Sequence, residues 1–101
     1  MAHMERELEC LKWMYQVAKD TKTISWRNLL TEVVEPAFHV SRLGAMRSEN
    51  MKDARMAWRK DAKQFAEIGL KFAKTLNGDD HSLTKEWIKR SADLIHAWML
   101  R

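Results

Sequence analysis

A chain of 101 residues, 46% apolar and 32% charged, is one domain's worth of folded protein and too hydrophobic to read as disordered. A formal net charge of +4 admits polyanionic or acidic partners, while a single cysteine excludes an intramolecular disulfide and a cysteine-based zinc site. No apolar run approaches the roughly 20 residues needed to cross a bilayer, and no signal-peptide pattern follows the start, so the expectation is a cytoplasmic protein with no membrane partner.

Residues 1–3 (Met-Ala-His) read as a cloning remnant with Met4 as the natural start, leaving 4–101 as a single helical domain. Three glycines, one proline and no strand-like alternation of Val, Ile or Thr make the chain all-α. The first helix is expected over 5–19, with Leu8, Leu11, Tyr15 and Ala18 as its inward stripe. Cys10, within it, reads as a small buried or half-buried thiol.

Polar residues 20–23 end that helix, and Thr23 or Ser25 can cap the next. That second helix carries Ile24, Leu29, Leu30, Val33 and Val34 inward. Pro36 lacks an N–H and disfavours helix at Glu35, so a break or kink is expected there. A short helix resumes and ends near Gly44 or slightly later.

The third helix is the longest, predicted over 48–76 with Ser48 as its cap. Met51, Arg55, Trp58, Ala62, Phe65, Gly69, Phe72 and Leu76 alternate steps of three and four, forming an a/d seam in which only Arg55 is charged. Gly69 costs helix propensity, and its place in the seam suits a close helix or a large Trp from across the interface. Gly78 fits the helix C-terminus. Ser82 is expected to cap a fourth helix with Leu83, Trp87, Leu94, Ile95 and Trp98 inward. The short turn between these two helices demands an antiparallel hairpin. The sum is a four- to five-helix bundle whose long third helix pairs with the C-terminal one.

At about 100° per residue, Lys52, Arg59, Lys63 and Lys74 fall in one sector opposite the seam, flanked by Arg55, Lys60 and Lys71, with Asp53 and Glu67 as the nearby acids and Asp61 nearer the seam. Met56 and Leu70 point to the same sector. A solvated face ordinarily mixes lysine with glutamate at i,i+4 spacing; this bias toward one sign leaves three readings open, an ordinary solvated face first, then a phosphate-contacting face or a surface for an acidic partner.

Residues 28–47 (NLLTEVVEPAFHVSRLGAMR) resemble a helix-turn-helix, in which Arg42 would reach guanine edges and His39 or Ser41 a phosphate. Val34 stands where that motif needs a residue with positive φ, and Leu30 where it needs a small one. Arg90 and His96, in RSADLIH, resemble the Arg-x5-His pattern of HEPN-type ribonucleases, which are also helical bundles. The resemblance implies that Arg90 stabilises charge and His96 moves a proton across a dimer. Positions six apart lie about 120° apart on a straight helix, so convergence needs a kink or a second subunit.

His39, His81 and His96 lack metal-site spacing, Asn77–His81 is too short for a calcium loop, and there is no glycine-rich phosphate loop, so neither metal nor cofactor is expected. The leading expectation is a non-enzymatic regulatory module. It self-associates as a homodimer through its apolar seam and tryptophans, and its basic face meets a nucleic acid, a nucleotide or a nucleoprotein machine. The alternative is an inhibitor or adaptor docking on an acidic protein, and the third reading is the ribonuclease.

Overall fold

The structure is a computed structural model that describes residues 2–99. Met1 of the expected remnant and residues 100–101 of the expected domain lie outside the described residues. The elements in order are α1 (Ala2–Thr21), α2 (Trp26–Leu29), a π-turn (Leu30–Val34), α3 (Glu35–Arg47), α4 (Lys52–Asn77) and α5 (Ser82–Met99). Among the described residues there is no strand, and the architecture is the expected helical bundle, with the long α4 paired with the C-terminal α5.

Helix α1 stops where Lys22 takes a φ of 54° and its N–H returns to the Ala18 carbonyl at 2.9 Å. This closes the last turn as a left-handed cap does, with a lysine in place of the usual glycine. Met4, Leu8 and Leu11 are buried and Tyr15 and Ala18 half-buried, so the predicted stripe holds and extends one turn toward the N-terminus. Cys10 is exposed, contrary to expectation: it sits off the stripe, its thiol 4.0 Å from the Met14 sulfur.

Ser25 caps α2, its Oγ accepting the Asn28 N–H at 3.1 Å. The expected break at Pro36 is absent. The chain instead widens by one turn before the proline, and the Glu35 N–H donates to the Leu30 carbonyl in a five-residue step. Pro36 then enters α3 within its first turn, where a missing N–H costs least. Val34 is right-handed helical (φ −66°, ψ −47°), so no helix-turn-helix exists here. Leu29, Leu30, Val33, Val34, Ala37 and Phe38 are buried along this continuous rod and form the centre of the core.

Ser48 ends α3 and does not begin α4: its N–H donates to the Gly44 carbonyl at 3.0 Å, and α4 starts four residues later. Residues 48–50 are spent on a turn, which leaves Met51 outside the seam with 56% exposure. The buried positions of α4 are Trp58, Ala62, Phe65, Ala66, Gly69 and Ala73, with Phe72 and Leu76 half-buried. Small residues dominate because two tryptophans fill the space. A Cβ on Gly44 would fall 2.6 Å from Cε2 of Trp58, and one on Gly69 2.6 Å from Cη2 of Trp87, well inside van der Waals contact. Each glycine is thus the socket for an indole from the next helix along the chain, joining α3 to α4 and α4 to α5.

Gly78 ends α4 with φ 83°, its N–H bonding the Lys74 carbonyl at 2.9 Å. The hairpin turn is clamped by the Thr84 hydroxyl donating to the Gly78 carbonyl at 2.7 Å. The cap of α5 is His81 and not Ser82, since His81 Nδ1 accepts the Leu83 N–H at 3.1 Å. Trp87 and Leu94 are buried and Leu83 and Trp98 half-buried as expected, whereas Ile95 is exposed. Among the described residues, no helix is long and apolar enough to cross a membrane.

Candidate functional site

Of the predicted basic residues on α4, Lys52, Lys60, Lys63, Lys71 and Lys74 are exposed. Their positions fall within an arc of about 100°, centred away from the buried stripe. The ion pairs found among the described residues involve none of the five. Glu67 lies four residues from both Lys63 and Lys71 without closing an ion pair to either. Met56, 57% exposed, sits within this field of lysines. Leu70 does not join it, being half-buried against the core.

The arginines on α4 do other work. Arg55 is half-buried and its Nη1 donates to the Glu49 carbonyl at 2.7 Å, tying the α3–α4 turn to α4 and explaining a charge within the seam. Arg59 is half-buried with its guanidinium 5.1 Å from the Trp98 ring centroid, a cation–π distance. Arg59 was expected in the sector opposite the seam and instead turns inward, because a long aliphatic stem can cover apolar surface beside a neighbouring helix, while Arg55 keeps the seam position expected of it. Asp61 lies near the seam as expected, pairing with Lys12 of α1 at 3.0 Å.

A cavity of about 400 Å³ opens between α3, α4 and α5. Its polar lining is His39 and Arg42 from α3, Arg59 from α4, and Arg90 and Asp93 from α5. Its apolar lining includes Phe38, Met46, Leu94 and Trp98. Arg90 is the anchored member. Its Nη2 bonds Glu86 at 2.8 Å and Glu35 at 3.3 Å, and its guanidinium stacks 4.7 Å from the buried Trp87 ring. The Glu35 carboxylate also lies 3.8 Å from Nε2 of His39. Partial burial, aided by the positive charges of Arg90 and Arg42 and opposed by Glu35, holds the His39 imidazole below its ordinary pKa. The shift favours the neutral imidazole.

Arg42 is exposed at the cavity's edge and forms none of the ion pairs found among the described residues. Arg90 and His96 do not meet: Arg90 faces the cavity, while His96 is exposed and is not part of its lining. The histidine that shares a partner with Arg90 is His39, through the Glu35 carboxylate. No spacing along the sequence joins His39, Arg59 and Arg90, because they come from three helices brought together by the two indole sockets.

A second, shallower groove of about 680 Å³ lies along α1 and α4. Tyr15, Trp26 and Phe72 line it, the Trp26 ring meeting Phe72 edge-on at 5.0 Å. Burial raises the pKa of Tyr15. Among the described residues, no three His, Cys, Asp or Glu side chains lie close enough together to hold a metal ion. No family model, no curated protein and no solved structure matches this chain.

Proposed function

We propose that the protein is a non-enzymatic helical module that binds a polyanion, a nucleic acid above all, along the outer face of α4. The observation that carries this reading is the set of five exposed lysines on that face, Lys52, Lys60, Lys63, Lys71 and Lys74, none engaged in an ion pair found among the described residues. Lys52 and Lys74 are 22 residues apart, so the face is about 33 Å long at 1.5 Å per residue, long enough to follow several successive phosphates. Lysine ammonium groups on flexible stems suit phosphates as point charges and carry no base specificity. The module would act as a homodimer in an intracellular, regulatory setting.

Five phosphate contacts imply a slope of log K against log salt of about −3.5 on single strands and about −4.5 on duplex DNA. Charge reversal of Lys60 and Lys63 removes two of the five. The slope should then flatten by about 1.4 to 1.8, with affinity falling alike for every sequence. The test is a titration of the unsubstituted protein with labelled DNA and RNA at physiological salt. Absence of any binding there rejects the reading, and cleavage of the RNA without added metal would move the protein into the ribonuclease class.

A second reading, docking on an acidic protein, draws support from Met56, a large exposed apolar side chain amid the lysines. A polyanion gains little from such a residue, whereas a protein partner buries it.

A further inference from the structure

We propose that the cavity between α3, α4 and α5 is a subsite for one unpaired nucleotide unit, its phosphate on Arg42 and its ring against Trp98. The inference deepens the polyanion reading, because a strand tracking the lysines of α4 would pass the cavity mouth at Arg59. The site's own chemistry does not depend on that strand.

Size comes first. About 400 Å³ lies at the lower end of small-ligand sites, which suits a single planar ring with its sugar and excludes a duplex or a folded partner. The walls come second. Trp98 and Met46 supply apolar surface, and the Arg59 guanidinium already stands 5.1 Å over the Trp98 ring. Aromatic rings, indole among them, and guanidinium planes are surfaces on which unpaired bases stack.

Charge comes third. The lining holds three arginines against the one carboxylate of Asp93. Arg90 is held by Glu35 and Glu86, so it is the fixed floor of the site. Arg42 is exposed at the edge, with no carboxylate in ion-pair contact, and can close on a phosphate. Burial first, and the charges of Arg90 and Arg42 after it, lower the His39 pKa, despite Glu35.

Asp93 gives the site a direction. It repels the phosphate from the α5 side and can accept ring N–H groups. Guanine presents two adjacent donors on its Watson–Crick edge, a match to the two oxygens of a carboxylate, whereas adenine presents one donor beside an acceptor. Guanine is therefore the favoured ring.

The test follows the five tryptophan indole N–H signals of isotope-labelled protein by two-dimensional NMR while guanosine monophosphate is added to millimolar concentration. Expected are saturable shifts of the Trp98 indole and of the backbone at Asp93 and Leu94. Arg42→Gln should weaken the nucleotide at least tenfold with no change in circular dichroism or thermal midpoint, since Arg42 is exposed. Asp93→Asn should erase a preference over adenosine monophosphate. No saturable shift, or shifts undiminished by Arg42→Gln, overturns the subsite. Equal affinity for the two nucleotides overturns the role given to Asp93.

Two further arms separate a free nucleotide from a strand. A single-stranded octamer should move the Trp98 signal and its duplex should not. An octamer that binds without moving Trp98 leaves the lysine face standing and, where guanosine monophosphate still moves Trp98, assigns the subsite to a free nucleotide; if neither moves Trp98, the subsite is overturned. A mononucleotide that binds when no octamer does upholds the subsite and overturns the polyanion reading.

Discussion

Replacing Gly69 with alanine sets two effects of opposite sign against each other. Helix propensity alone favours the substitution by about 1 kcal/mol, since alanine is the best helix former and glycine among the worst. Packing opposes it. The new methyl would meet Cε3 and Cη2 of Trp87 at 2.5 and 2.6 Å, where ordinary contact begins near 3.4 Å. Trp87 has nowhere to retreat: it is fully buried, with the Phe38 ring 5.5 Å away and the Arg90 guanidinium 4.7 Å away.

α4 and α5 must therefore separate by the better part of an ångström. A gap of that size forfeits about a quarter to a half of the dispersion energy at each contact it opens. Overpacking of this kind costs about 1–3 kcal/mol, and with a rigid neighbour the upper part of that range applies. The net expectation is a loss of about 1–2 kcal/mol, or about 4–16 °C in thermal midpoint for a domain of this size. Thermal unfolding by circular dichroism measures it. In a Trp87→Leu background the same alanine should become neutral or stabilising, a coupling visible in the double-mutant cycle. A midpoint for Gly69→Ala equal to or above that of the parent would refute the socket, because propensity would then have decided the sign.

Two other outcomes are expected. His39 has its folded pKa below the unfolded value of about 6.5, so stability from its neutral form is complete above that pH and is lost on acidification toward the folded pKa. Because the ring is 44% exposed the slope should be shallow, and His39→Gln should remove it from thermal midpoints recorded between about pH 5.5 and 7.5; identical slopes in parent and variant would contradict the assignment. Trp13 and Trp26, 67% and 48% exposed, lead us to expect a homodimer at micromolar concentration, and sedimentation showing only an 11.9 kDa species across that range would rule it out.

The helical periodicity of the apolar residues was sufficient to read the bundle, the α4–α5 hairpin and most of the core. Gly69 was legible as a place of close approach, by a helix or by a large Trp, because a glycine in the seam removes the side chain that would keep either away. Boundaries were less legible. Ser48 is a good cap by type, but a serine can close a helix as readily as open one, and here its N–H bonds back to the Gly44 carbonyl. Pro36 signalled a break that a widened turn made unnecessary. Angle alone puts Arg59 on the outer face and leaves Arg55 as a charge in the seam with no stated partner. An arginine on the border of a helix face can fold its stem toward either side; a carbonyl holds Arg55 in place and an indole draws Arg59 inward. The cavity was invisible for a different reason: His39, Arg59 and Arg90 are far apart in sequence, and only the depth of the two indole sockets sets the distance between their helices.

The widened turn at Leu30–Val34 makes the position of the cavity's α3 wall a matter of counting. Upstream, the Ser25 cap and buried Leu29 fix one angular phase of the rod, and downstream, buried Phe38, Ser41 and Ala45 fix another. The two phases differ by the one residue that a π-turn holds in excess, about 100° of rotation. Point substitutions within the turn leave that offset intact. Deleting any single residue from it brings the halves into one phase, and a helix that keeps its upstream burial then swings His39 and Arg42 away from α5. Chain length within these five residues, more than the identity of any one of them, determines whether the arginine stands at the mouth of the cavity or on another side of the molecule.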